Sequence, residues 1–302
     1  MKRVEFRFLE NWKKRNEYRL KEYRYALHQI KQSPLFLIGI TIIALLFFIA
    51  LFAPFLAPYP KDATEMVHLD QRFDPPSRAH LLGTDDLGRD ILSRIIYGAR
   101  ISIKVGIGVV VLGLAIGVPL GGIAGYFGGR TDEIIMRICD IFLSFPYILL
   151  PVILSAAMGP NLTHAMIAIA LTWWPWYVRI IRGQTLAIKE KTYIEVAQAI
   201  GVRRTKIITK HILPNTISAV IVQASMDVGY AILATASLGF IGAGAQPPTP
   251  EWGLMIAVER SYFLEFWWPA AFPGLAILLT VLGFNLIGDG LRDILDPKLR
   301  RA

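Results

Sequence analysis

Few residues in this 302-residue chain have the types and spacing that chemistry needs. Asp85, Asp86 and Asp90 lie close together in GTDDLGRD, but they do not follow the D-x-[DN]-x-[DN]-G pattern of a calcium loop. Helix capping and charge pairing with Arg89 and Arg94 suit them better, with Gly83 and Gly88 marking turns. Gly83 to Gly88 has the spacing of a phosphate-binding loop, yet Arg89-Asp90 stands where Lys-Ser/Thr is required. There is no C-x-x-C and no H-E-x-x-H. The one cysteine, Cys139, cannot form an internal disulfide and reads as a packing residue. Asp227 is the one acid in a long apolar run. An ionisable group at such depth is a candidate functional site, the alternative being a structural pairing with an arginine of another helix. Gln223 and Thr235 on the same run, with Trp173 and Trp176 on the preceding one, are further candidates to line a path. For the tryptophans the alternative is packing or anchoring at the membrane interface.

A second constellation is 191–215, KTYIEVAQAIGVRRTKIITKHILPN, a basic segment between two apolar runs. Thr192 and Glu195 have the spacing of a capping box, in which each side chain satisfies the other's backbone N–H. Gly201 is placed to stop the helix, because glycine takes the left-handed conformation at no steric cost. The result is a helix of about eight residues, too short to be stable alone in water. Ala197 and Ala199 would let a partner surface come close. A second helical piece carries Ile207, Ile208, His211 and Ile212, and Pro214 punctuates the entry to the next run.

The elements that must position these residues are membrane helices. The composition is 54% hydrophobic and 18% charged, against about 25% charged in an ordinary soluble domain. Apolar runs are predicted over 35–57, 101–127, 138–158, 163–187, 216–242 and 266–288, each about long enough to cross some 30 Å of hydrocarbon. Glycines 113, 117, 121, 125 and 129 recur every four residues, a ladder that lets a neighbouring helix come close, within the chain or in another subunit. Pro146 and Pro151 threaten the third run. Residues 243–264 read as a loop, and Trp267 with Trp268 as an interfacial aromatic pair. The first 34 residues carry ten Lys and Arg, with Leu20, Tyr23, Leu27 and Ile30 at helical spacing. They read as an amphipathic helix on the membrane face or a solvated basic tail, not as a nucleic-acid site. Twenty-four Lys and Arg fall on the side of the termini and the 191–215 loop, against seven on the other. The positive-inside rule then places both termini and that loop in the cytoplasm.

Residues 195–214 resemble the E-A-A-x-x-x-G-x9-I-x-L-P motif of the permease subunits of ABC importers. Glu195, Val196, Ala197 and Gly201 are followed after nine residues by His211, Ile212, Leu213 and Pro214, with Val196 and His211 as departures. The ending HILPN, GTDDLGRDILSRIIYGAR over 83–100, WPWYVRIIR over 174–182 and PPTPEWG over 247–253 resemble the dipeptide/oligopeptide/nickel branch. Many members of that branch carry Glu where this chain has Thr235.

The resemblance implies an all-α, six-span, type I ABC importer permease fold with a MetI-like core. It divides the chain into a basic segment (1–34), a first span (35–57), an extracytoplasmic segment (58–97), a five-helix core (98–290) holding the loop 191–215, and a cytoplasmic tail (291–302). It makes 191–215 the coupling helix that docks on a separate ATPase, with Glu195, Ala197, Gly201, Leu213 and Pro214 as the coupling residues. The implied partners are a second homologous permease, two cytoplasmic ATPase subunits, a solute-binding protein outside and the surrounding lipid. ATP and Mg would sit on the ATPases, so that this chain is no enzyme and holds no cofactor or metal of its own. The implied place is the prokaryotic inner membrane and the implied cargo is peptide, with oligosaccharide or nickel as alternatives. A rival of another class, an ion-coupled carrier, would need several polar groups at the midplane and an inverted repeat. One acid, Asp227, and no obvious repeat are present.

Overall fold

The computed structural model describes residues 30, 32–64 and 66–295. The basic segment over 1–34 therefore falls almost entirely outside the described residues. Helices α1 (Pro34–Leu51) and α2 (Ala53–Leu56) form the first crossing. Ser33 caps α1, its Oγ accepting from Phe36 N at 3.4 Å, and Pro34 sits at the first helical position, where its missing N–H costs nothing. Residues 58–90 then fold as a compact polar segment. Helix α3 (Ile91–Phe127) starts at Asp90, whose carboxylate accepts from Ser93 N at 2.8 Å. Its 37 residues span about 55 Å at 1.5 Å each, longer than the hydrocarbon, so part of it stands outside.

The third run is not one helix. It is α4 (Gly129–Leu143), then a break over 144–148, then α5 (Leu149–Met158). The residue before a proline avoids helical angles, and Pro146 stops α4 short. Together α4 and α5 still make one crossing. Asp132 at the start of α4 meets Arg182, and Ser155 on α5 donates to Ala243 O at 2.6 Å at the opposite end. Helix α6 (Leu162–Lys189) returns, α7 (Thr192–Ala199) is the short basic-loop helix, and α8 (Arg204–Ile207) leads through a π-helical turn, Ile208–Ile212, into α9 (Leu213–Ile241). The second helical piece and the fifth run are thus one continuous helical stretch. The wide turn explains the continuity: Pro214 would press on the carbonyl of Lys210 in regular α-helix, and Leu213 N instead bonds Ile208 O.

Residues 243–264 are not simply a loop. They contain α10 (Trp252–Glu259), capped by Glu251, which accepts from Gly253 N and Leu254 N at 2.9 and 2.8 Å. Helix α11 (Trp268–Leu295) closes the bundle. Trp267 is exposed, but Trp268 is buried and its Nε1 donates to Thr84 O at 3.3 Å, so only one of the pair can anchor in an interface. The described residues hold no strand beyond an isolated bridge between Thr84 and Asp90.

Four stretches are long and apolar enough to cross a membrane: α1, α3, Arg204–Ile241 and α11. Helix α6 is 28 residues long but is diluted by its tryptophans, Pro175 and arginines. With α4–α5 these make six crossings, and Phe36 at the start of α1 packs against Gly290 near the end of α11. Both described ends therefore lie on the same side as α7.

The most extensive helix pair is α3 with α6, and the glycine ladder makes it. A Cβ on Gly117 would stand 2.5 Å from Tyr177 Cβ and 2.8 Å from Trp174 O, and one on Gly121 or Gly125 would meet Val178 O or Thr185 at 2.7 or 2.6 Å. The close approach is thus within the chain. Gly129 is not part of it, since α3 ends at Phe127 and Gly129 has open space around it. Cys139 is fully buried against Trp174 and Val178, a packing residue as expected.

Candidate functional site

Helix α7 is held by two buried side chains, Ile194 and Ala197. Ile194 joins a small apolar cluster with Tyr126 at the end of α3, Ile188 at the end of α6, and Ile207, Ile208 and Ile212 around the π turn. A short helix that cannot persist alone is thereby tied to three membrane helices at once. Its end is a complete Schellman motif. Gly201 N bonds Gln198 O and Val202 N bonds Ala197 O, both at 3.0 Å, with Gly201 at φ +78°.

Two expectations for this helix are corrected. The capping box does not form, because Lys191 occupies the N-cap and Thr192 is already inside the first turn. Its hydroxyl is one residue too late to cap, and the N–H groups of Ile194 and Glu195 bond Lys191 O instead. Nor does Ala197 thin an outward face, since it points into the chain's own core. The outward face is Tyr193, Val196 and Ile200, the last 74% exposed, with Glu195 and Ala199 beside them. Lys191, Arg203, Arg204 and Lys206 are exposed around this apolar patch. Leu213 is half-buried against the isoleucine cluster, and Pro214 is exposed in the first turn of α9.

The second site is a cleft of about 500 Å³ between the α4–α5 break, α6 and α9. The break itself lines it through Phe145, Pro146 and Tyr147, so the proline that interrupts the third crossing also opens the space. Four expected residues meet here: Trp173, Trp176, Gln223 and Asp227. Thr235 does not. It is buried elsewhere, 2% exposed, although its neighbours Leu233 and Ala234 line the cleft. Asp227 pairs with no arginine among the described residues; its Oδ1 accepts from Gln223 Nε2 at 2.9 Å, one helical turn away. Tyr177 and Tyr230 complete the walls and are absent from the residues singled out above. Helical spacing could have found them, since Tyr177 is four residues after Trp173 and Tyr230 three after Asp227.

At the opposite end from α7, the GTDDLGRD segment does cap and pair. Asp85 bonds Arg89 Nε at 2.7 Å and lies 3.5 Å from Arg94 Nε, while Asp90 caps α3 and meets His80 Nδ1 at 3.0 Å. Gly83 and Gly88 have φ +77° and +74°, and a side chain at Gly88 would collide with the His68 carbonyl. Glu259 from α10 completes the group, its Oε1 accepting from Asp86 N at 3.2 Å. Burial and the nearby Asp86 carboxylate push Glu259 up from 4.5 to about 8. Arg89 and Arg94 against Asp85 and Asp86, with Glu259 bonded to the Asp86 backbone, make this a charge-paired joint between the 58–90 segment and α10.

Residues 117–301 match the family described as "Binding-protein-dependent transport system inner membrane component", and residues 22–76 match "N-terminal TM domain of oligopeptide transport permease C". The "Probable D,D-dipeptide transport system permease protein DdpC" of Escherichia coli (strain K12) is 50% identical over 89% of this chain and 89% of its own. The "Dipeptide transport system permease protein DppC" of Alkalihalophilus pseudofirmus is 46% identical over 92% of this chain and 90% of its own. The "Glutathione transport system permease protein GsiD" of Pectobacterium atrosepticum is 48% identical over 85% of each. Among solved structures, the MetNI methionine ABC transporter contains a chain that aligns with a TM-score of 0.57 at 18% identity, over 68% of this chain and 98% of that one. At that identity the likeness is one of fold.

Proposed function

The chain belongs to the family of binding-protein-dependent transport system inner membrane components, and from that premise we propose that it is the permease subunit of an ATP-driven importer carrying short peptides. It is a multi-pass membrane protein of a family of transport subunits, not itself an enzyme. Identity near one half, over nine-tenths of the chain, to permeases named for dipeptides is the observation that carries the peptide reading.

In this reading α7 is the coupling helix. Its exposed apolar patch, ringed by basic residues, docks on a cytoplasmic ATPase, with Glu195 at its edge. Closure of the two ATPases on ATP and Mg moves α7. Because Ile194 and the Gly201 stop fix α7 to the ends of α3 and α6 and to the base of α9, that motion reaches the helices that wall the cleft. Leu213 and Pro214 sit where the push enters α9. A second homologous permease supplies the facing wall of the path, and a solute-binding protein delivers cargo at the 58–90 end. Both termini and α7 then face the cytoplasm of a prokaryotic cell, a reading the charge asymmetry supports.

Purifying the tagged chain gently from its native membrane tests this. A second permease and P-loop ATPases should co-purify, and the reconstituted complex should take up dipeptides only with ATP and binding protein. A chain recovered alone that moves solute without ATP would overturn it.

A further inference from the structure

Resting on the peptide reading above, we infer that the cleft is a binding site for the α-ammonium group of the travelling peptide, with Asp227 as the acceptor. Three observations converge. Asp227 is buried, 7% exposed, and is the only charged residue among the sixteen that line the cleft. A buried carboxylate is costly unless it is paired and fully hydrogen-bonded. Yet the one well-formed side-chain hydrogen bond to it among the described residues comes from Gln223, on Oδ1. Tyr177 lines the same space, is 2% exposed, and its hydroxyl faces the Asp227 carboxylate without a well-formed hydrogen bond to any described residue. An ammonium group has three N–H donors to offer that carboxylate, and the Tyr177 hydroxyl beside it would help to hold the carboxylate in place.

The rest of the cleft suits the rest of such a ligand. Trp173, Trp176 and Tyr230 line it with aromatic rings, whose faces attract a cation and which pack against varied side chains without demanding any one shape. A volume of about 500 Å³ falls within the range of ordinary small-molecule sites, about 300–1,000 Å³. The α-ammonium is the one cation that every unblocked peptide carries whatever its side chains, so an acceptor for it serves many sequences. The cleft offers no Arg, Lys or His for the terminal carboxylate, and this chain should be indifferent to that end.

The test uses the complete transporter, this chain with its partner permease and ATPases in lipid vesicles, without binding protein so that only the path is probed. Equilibrium binding of radiolabelled alanyl-alanine is compared with its N-acetyl and C-amide derivatives. We expect N-acetylation to weaken binding at least tenfold and C-amidation to change it less than threefold. In Asp227→Asn the free and N-acetyl forms should converge, while Asp227→Glu keeps a preference. Equal binding of the free and N-acetyl forms by the wild-type complex overturns the proposal without recourse to any variant. So does a tenfold preference that survives in an assembled Asp227→Asn complex. Failure of the peptide reading itself looks different: the wild-type vesicles, supplied with ATP and binding protein, would take up no dipeptide of any kind.

Discussion

Replacing Gly201 separates backbone strain from every other reason to keep a glycine. Its φ is +78° and a Cβ placed there would meet nothing within 4 Å, so a substitution costs conformation and not contact. A residue with a Cβ in the left-handed region pays about 1–2 kcal/mol, and Asn pays least. Helix α7 has only eight residues and two buried side chains to oppose that cost. A penalty of about 1–2 kcal/mol should raise the population of its opened state about 5–30-fold. The reporters are the amide protons of Gly201 and Val202, which close the Schellman turn on Gln198 and Ala197. Hydrogen exchange there should quicken in the order Gly, Asn, Ala, Val, and ATP-driven uptake should fall in the same order at unchanged membrane abundance. Asp should transport worse than Asn, since a negative charge at a helix C-terminus opposes the dipole by about 0.3–1 kcal/mol. If Asn proves as harmful as Val, or if all four variants keep full protection, the stop is not what holds α7 in place.

Gly117→Ala should destabilise the purified subunit by about 1–3 kcal/mol, because its new methyl meets Tyr177 Cβ and the Trp174 carbonyl. Gly183→Ala, with open space around it, is the control and should leave thermal stability within about 0.5 kcal/mol; equal effects would remove the ladder's packing role. The two-pronged Arg182–Asp132 pair, partly exposed, should couple by about 1 kcal/mol or less in a double-mutant cycle and weaken with salt. A coupling insensitive to salt would contradict that. Glu259 titrates near 8 in the folded chain against an ordinary 4.5. The stability it contributes is therefore complete below about 4.5 and lost as pH rises through about 8. The melting temperature of the wild-type subunit should fall between pH 6 and 9, and Glu259→Gln should flatten that fall while still accepting from Asp86 N. Parallel pH profiles for the two proteins would show that the joint does not titrate.

Much of the fold was legible because a membrane imposes rules on the sequence. Uncharged runs must cross, their number sets which ends share a side, and arginine and lysine mark one face. Gly201 was legible because a positive φ at a helix end is a local demand. Asp90 as a cap and the Asp85–Arg89 pair were legible for the same reason: partners three or four residues apart need no tertiary information. The capping box at Thr192 failed by a single residue, as Lys191 took the N-cap position. The 243–264 segment hid α10 because its helix is eight residues long and is held by Glu251 and by burial of Trp252, not by a long periodic pattern.

What the sequence by itself determined is the set of helices, their order across the membrane and the family. Which way each helix faces was decided only by the tertiary structure. In water an apolar stripe points inward, but lipid is as apolar as a protein core, so the pattern carries little information about facing. Ala197 turned in and Ile200 out, Thr235 was buried while Leu233 beside it lined the cleft, and the glycine ladder chose α6 over a partner subunit. The cleft exists for the same reason. Pro146 interrupts one helix locally, but only packing against α6 and α9 turns that interruption into a space with Asp227 and Tyr177 on its wall.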